Sequence, residues 1–178
     1  MEYGHVCFAY SKNEWIAKAI AWFTNSQWSH TFVTMPPVLG KEMALEAAQG
    51  GTQPVMFDPA YRNNPNQKYE MYRVKVDQDT IDQAILKCLE RLEMPYGYLE
   101  YPWFIWRSIN RWFGKDIKGQ DNWSQKDEVC AGLSDFYIEG LSLQILFQGF
   151  GKNSITAQDI YEIVKANPHL FELIEKKD

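Results

Sequence analysis

The sequence predicts one α+β domain covering residues 1–178, on three observations. Segments rich in β-formers occur at 3–10, 30–35, 42–48 and 68–76, with no strict strand-helix alternation. Apolar residues recur with helical spacing over 80–92, over 126–141 and after Thr156. No internal repeat, low-complexity tract or linker interrupts the chain, and 178 residues with 46% hydrophobic content can fill a single core.

The elements follow in order. After the strand at 3–10, Ser11 stands three residues before Glu14, the spacing of a capping box, so a helix is expected to begin there. Trp15, Ile16, Ala19, Ile20 and Phe23 then form its inward face. "HTFVTM" (30–35) and "EMALEAA" (42–48) read as two strands of a hairpin, joined by about six residues that include Pro36, Pro37 and Gly40. Gly50 and Gly51 break the pattern before a short apolar piece, and "DPAYRNNPNQ" reads as a polar loop. A strand resumes at 68–76, followed by a helix over 80–92 whose buried face carries Ile81, Ala84, Ile85, Cys88, Leu89 and Leu92. Residues 96–114 are dense in aromatics, and a helix over 126–141 turns Leu133, Phe136, Tyr137 and Leu141 to one side. Thr156 and Asp159 repeat the capping-box spacing, Asn167-Pro168 stops that last helix, and the terminal "EKKD" is expected to fray.

Bulk composition narrows the function. A net charge of −5 without clustered Lys and Arg argues against a nucleic-acid partner. Three widely spaced cysteines, Cys7, Cys88 and Cys130, form neither a disulfide framework nor a Cys-x-x-Cys metal site. The N-terminus lacks the layout of a secretory signal and no apolar run is long enough to span a bilayer, so a cytoplasmic location is expected. Neither metal-ligand clustering nor a phosphate-cradling loop occurs, and no cofactor is implied.

Three residues carry the chemical interest. Cys130 stands near the start of a predicted helix, where unpaired N–H groups and the helix dipole favour a thiolate, and Asp127 is placed to cap that helix. The alternative is a small buried residue before "AGL". His30 is the natural proton acceptor for a cysteine nucleophile, and its alternative is a strand histidine bonded to a backbone carbonyl. His5 with Cys7 is a competing pair that lacks a helix terminus, and His169 lies beside Pro168 in a peripheral segment. Glu46 interrupts "MALEAA" on the strand face of Ala44 and Ala48, where it orients His30 if the two strands are neighbours, or faces solvent if they are not.

The order of these pieces carries a resemblance. A strand, a helix, "WFTNSQWSHTFV", "ALEAAQGG", the Tyr-rich "MPYGYLEY", "VCAGL" opening a helix and a closing "SITAQDIYE" look like the permuted papain-like cysteine hydrolases of the NlpC-type superfamily. The YiiX-like group is the nearer relative and lecithin:retinol acyltransferase a more distant one. The resemblance covers most of residues 3–160. It implies a circularly permuted papain-like fold, a small antiparallel sheet packed against helices, with the order histidine, polar residue, cysteine met by His30, Glu46 and Cys130. The chain departs from the family at "VCAGL", where Ser then Glu often follow the cysteine, and at "ITAQD", which lacks the usual Pro.

The resemblance further implies a thiol hydrolase or acyltransferase that cleaves an amide, ester or thioester through an acyl-enzyme. Cys130 would be the nucleophile, His30 the general base then acid, and Glu46 the orienting group. The substrate would be a peptide, a peptidoglycan fragment or an acyl lipid. The aromatic run from Tyr101 to Phe113 is compatible with core, with an apolar lid or with peripheral membrane contact. A second reading, prompted by the altered residues after Cys130, is a catalytically inactive module that binds a peptide or lipid in an aromatic-rich cleft.

Overall fold

The structure is a computed structural model and describes residues 2–48, 50–95, 106, 109–110, 113–115, 130–147 and 155–178. Six strands form one antiparallel sheet in the order β4-β3-β2-β1-β5-β6. They are β1 (Val6–Ser11), β2 (His30–Val38), β3 (Lys41–Ala48), β4 (Gly51–Met56), β5 (Gln67–Val74) and β6 (Phe171–Lys177). Among the described residues, α-helices accompany them at α1 (Trp15–Phe23), α2 (Gln78–Leu89), α3 (Cys130–Gly140) and α4 (Ala157–Ala166). The α+β class expected from the sequence holds.

Alternation along the strands divides the apolar side chains between two cores. On one face Val6, Phe8, Val33, Leu45 and Tyr72 meet Ala84 and Ile85 of α2, Leu133 and Tyr137 of α3 and Ile160 of α4. Each such large apolar side chain contributes about 1.5–3 kcal/mol when fully buried. The other face carries Cys7, Ala9, Phe32, Ala44, Tyr69 and Met71, and is covered by Phe57 and Tyr61 from a π-helical turn at Asp58–Arg62. Helix α2 buries Ile81, Ala84, Ile85 and Cys88 of the face its periodicity predicts but ends at Leu89 and leaves Leu92 exposed; it starts at Gln78 because the Asp77 side chain accepts the Thr80 N–H at 2.9 Å. The capping box of α4 forms as spaced: Thr156 Oγ1 accepts the Asp159 N–H at 3.2 Å and Asp159 Oδ2 accepts the Thr156 N–H at 2.9 Å.

Several expectations are corrected. Ser11 is the last residue of β1, and Glu14 takes the N-cap position of α1 without a side-chain bond. Helix α1 buries less than its spacing predicts: Ala17 is its one fully buried residue, while Trp15 is 76% exposed and Ile16 also faces solvent. The hairpin connection is two residues rather than six. Leu39 and Gly40 both have positive φ, the geometry of a tight turn that matches strand twist, and Val38 pairs with Lys41 across it. Pro36 and Pro37 sit in β2 at a register shift between Met35 and Val38, beyond Val33, the last β2 residue in the β1 ladder, where their missing N–H groups interrupt only one ladder.

Residues 51–56 form the edge strand β4 rather than an irregular piece. The "EKKD" end does not fray: it belongs to the opposite edge strand β6, with Lys177 paired to Tyr69. Asp127, the Tyr-rich segment and most of the aromatic run lie outside the described residues; of that run, Trp106, Ile109 and Phe113 are exposed.

Candidate active site

His30 is the first residue of β2 and pairs with Ala9 of β1. Continuing the β2–β3 register one pair beyond Val33 and Leu45 sets Glu46 opposite Phe32, so Glu46 and His30 share a face at diagonal positions. The result is direct contact, with His30 Nε2 3.1 Å from Glu46 Oε2. Glu46 is 8% exposed and does not take the solvent-facing alternative.

Helix α3 approaches from the helical face and begins its described length at Cys130. It is anchored over β2 by Thr31 Oγ1, which donates to the Cys7 carbonyl at 2.8 Å and lies 3.1 Å from Ser134 Oγ. Thr31 and Ser134 are both fully buried, so the hydroxyl pair fixes how α3 sits on the strand that carries His30. Because His30 occupies the first position of β2, a thiol on a helix of one sheet face reaches an imidazole of the other. The Cys130 thiol and the His30 imidazole interact closely enough for each to shift the other's titration.

The electrostatics follow from these contacts. Burial by itself lowers the His30 pKa, but the hydrogen bonds and charges of Cys130 and Glu46 outweigh it and push the value up to about 10. Burial by itself raises the Cys130 pKa. The His30 hydrogen bond and charge, together with the Thr31 and Ala131 N–H groups, outweigh it and hold the thiol below its ordinary value. Glu46 is likewise held below the usual carboxylate range, where the bonds from His30, Tyr61 and Gln53 overcome burial. All three shifts favour a thiolate, an imidazolium and a carboxylate in series.

Two residues that sequence reasoning passed over complete the site. The Tyr61 hydroxyl donates to Glu46 Oε2, the same oxygen that faces His30, and its ring stacks on Phe32 with centroids 4.1 Å apart. Gln53 stands directly across β3–β4 from Glu46. Tyr61 was hidden in "DPAYRNNPNQ", whose polar composition reads as loop; the one available signal was an aromatic residue amid polar neighbours. A cleft of about 360 Å³ opens on His30, Glu46 and Tyr61, walled by Ile16, Ala17 and Ile20 of α1. Its lining among the described residues includes no Lys or Arg.

The competing pair is not brought together as a thiol and an imidazole. Cys7 Sγ donates to the His5 backbone carbonyl at 3.8 Å, and burial drives its pKa well up, so it stays a thiol. Neither Cys7 nor Cys88 is solvent-accessible to more than 1%. His5 Nδ1 is buried without a hydrogen-bond partner. His169 is exposed in the turn before β6.

No protein-family model matches the sequence, and no curated protein matches it. Among solved structures the chain resembles metalloprotein YiiX from Escherichia coli O157:H7, a DUF1105 protein, with a TM-score of 0.58 at 15% identity. The match covers 99% of this chain and 97% of the other. The two share a fold over nearly their whole lengths. YiiX is described as a metalloprotein, whereas among the described residues here no group of three or more His, Cys, Asp and Glu side chains could hold a metal ion. No helix among the described residues is long and apolar enough to cross a membrane.

Proposed function

We propose that this chain is a cysteine hydrolase of circularly permuted papain-like architecture, with Cys130, His30 and Glu46 as its catalytic triad. The observation that carries the reading is the position of His30, 3.1 Å from the Glu46 carboxylate and in electrostatic contact with the Cys130 thiol. The chain order His30, Glu46, Cys130 and the shared fold with YiiX support the permuted arrangement.

The chemistry follows from the charge states. The Cys130 thiolate attacks a carbonyl carbon and forms a C–S bond, while the developing oxyanion is met by N–H groups of the first turn of α3. The His30 imidazolium gives its proton to the leaving nitrogen, oxygen or sulfur as the acyl bond breaks. The neutral ring then takes a proton from water, which attacks the thioester and releases the acid and the thiolate. Glu46 keeps the ring oriented and its positive charge balanced throughout.

A cleft whose described lining holds no Lys or Arg favours an uncharged amide, ester or thioester at the reacting centre, within a peptide, peptidoglycan fragment or acyl lipid. The test is mass spectrometry of Cys130 after exposure to candidate acyl donors. A covalent acyl adduct on wild type, absent from Cys130→Ala, is the expected result. The reading fails if Cys130 alkylates no faster than a free thiol and Cys130→Ala retains full turnover.

A further inference from the structure

The histidine is not the only group that holds Glu46. Its Oε2 accepts from His30 Nε2 and from the Tyr61 hydroxyl. The Tyr61 ring lies 4% exposed, stacked on Phe32 and nearly parallel to the His30 ring, with an interplanar angle of 9°. It therefore approaches Glu46 from a packed position with little rotational freedom, and a carboxylate pinned by such a donor cannot swing away from the imidazole.

What holds Tyr61 is the other end of the chain. Lys177 on β6 donates its three ammonium protons to three carbonyls, those of Tyr61 at 3.0 Å, Arg62 at 2.9 Å and Asn64. A helical turn ends in unpaired carbonyls, and a cation placed there both satisfies them and complements the dipole. Arg62 ties the same turn to the sheet through Glu42 and Glu175 and braces it internally through Asp58, with its guanidinium 4.8 Å over the Phe57 ring.

We infer that Tyr61 is a positioning residue of the site, which holds the Glu46 carboxylate against His30 and is itself held by Lys177 through the backbone of its turn. The inference rests on the triad reading of Cys130, His30 and Glu46. It adds a fourth side chain to that line and makes the C-terminal strand part of the machinery.

The experiment uses the full chain and follows the rate of Cys130 alkylation by iodoacetamide against pH, a readout that needs no known substrate. Tyr61→Phe keeps the ring and removes the hydroxyl. Loss of one hydrogen bond to a charged group is expected to slow alkylation at neutral pH by about tenfold and move its midpoint to higher pH. In the Glu46→Gln background the same substitution is expected to add little, because its effect passes through that carboxylate. Lys177→Met is expected to shift the midpoint in the same direction, and Lys177→Arg to restore most of the wild-type profile.

The inference is overturned if Tyr61→Phe leaves the profile unchanged, or shifts it equally with and without Glu46. Should Tyr61→Phe fail to fold, the Lys177→Met and Lys177→Arg pair decides by the same criterion. Slow, free-thiol-like alkylation of the wild type sinks the triad reading, whereas fast alkylation untouched by Tyr61→Phe sinks this inference alone.

Discussion

His30 Nε2 and Glu46 Oε2 lie 3.1 Å apart because the two residues occupy diagonal positions on the same face of neighbouring antiparallel strands. A slip of one residue between β2 and β3 would send Glu46 to the helical face and leave the imidazole without its anion. The two-residue Leu39-Gly40 turn and the one-residue shift at Pro36-Pro37 together set this register.

The first prediction concerns pH. Folding raises the His30 pKa, so its protonated form contributes stability below the unfolded value of about 6.5 and loses it as pH rises through about 10. Folding lowers the Cys130 pKa, so the thiolate contributes above the unfolded value of about 8.5 and loses its contribution as pH falls. The ion pair therefore persists between an acid limb below about 8.5 and an alkaline limb near 10. Alkylation kinetics of the native protein should show one fast cysteine with an acid-shifted profile and two that stay unreactive until the chain unfolds. A single midpoint at the ordinary thiol value would refute the ion pair.

A second prediction isolates the carboxylate. Glu46→Gln keeps size and a hydrogen-bonding oxygen but removes the charge that balances His30. Turnover on any substrate found by adduct trapping should fall about tenfold to a hundredfold, chiefly in kcat, and the acid limb should move to higher pH. The folded Glu46 pKa is depressed, so its contribution is present above the unfolded value of about 4.3 and is lost as pH falls through the folded one. Urea titrations should accordingly show wild type losing more stability on acidification than Glu46→Gln. Equal losses would mean the carboxylate is not held as described.

Much of this site could be read in the sequence, and the missing parts share a physical cause. Glu46 was placed on the right face because side-chain alternation needs no tertiary information. Helix α2 and the α4 capping box were likewise local patterns. The two edge strands were not legible: β4 carries Pro54, and β6 reads "FELIEKK", since edges are kept from aggregating by proline and charge, features that mimic loop and tail. Tyr61 escaped for a related reason. Its burial comes from stacking on Phe32 and from a clamp by Lys177, contacts separated in sequence by whole elements. The exposed apolar residues of α1 invert the lesson, since helical spacing of Trp15 and Ile16 promised a core face where the structure has a cleft wall.

His5 yields a third prediction. Burial lowers its pKa, and its ring makes no hydrogen bond to offset that, so the folded protein resists a proton that the unfolded chain takes up near about 6.5. Stability from this residue is therefore lost as pH drops below that value. His5→Phe should flatten the stability profile between neutral and mildly acidic pH and leave neutral-pH stability equal or higher, because an unpaired buried polar nitrogen is removed. Thermal unfolding across that range measures it, and an unchanged slope would show that another group dominates.

The last prediction tests how α3, and with it Cys130, is seated. Gly140 lies where α3 passes α2, and a methyl group there would come within 2.9 Å of both Cα and Cβ of Ala84. Backbone cannot yield as a flexible side chain would, so Gly140→Ala must push the helices apart, at a cost of about 1–3 kcal/mol for overpacking. A tilt of α3 also strains the Thr31–Ser134 contact that seats the helix beside His30. Chemical denaturation should therefore show the loss in stability, and Cys130 alkylation should slow in parallel. Ala84→Gly in the same chain removes one of the two close atoms and should recover part of both effects. Full stability and unchanged alkylation in Gly140→Ala alone would mean that α2 does not set the position of the cysteine helix.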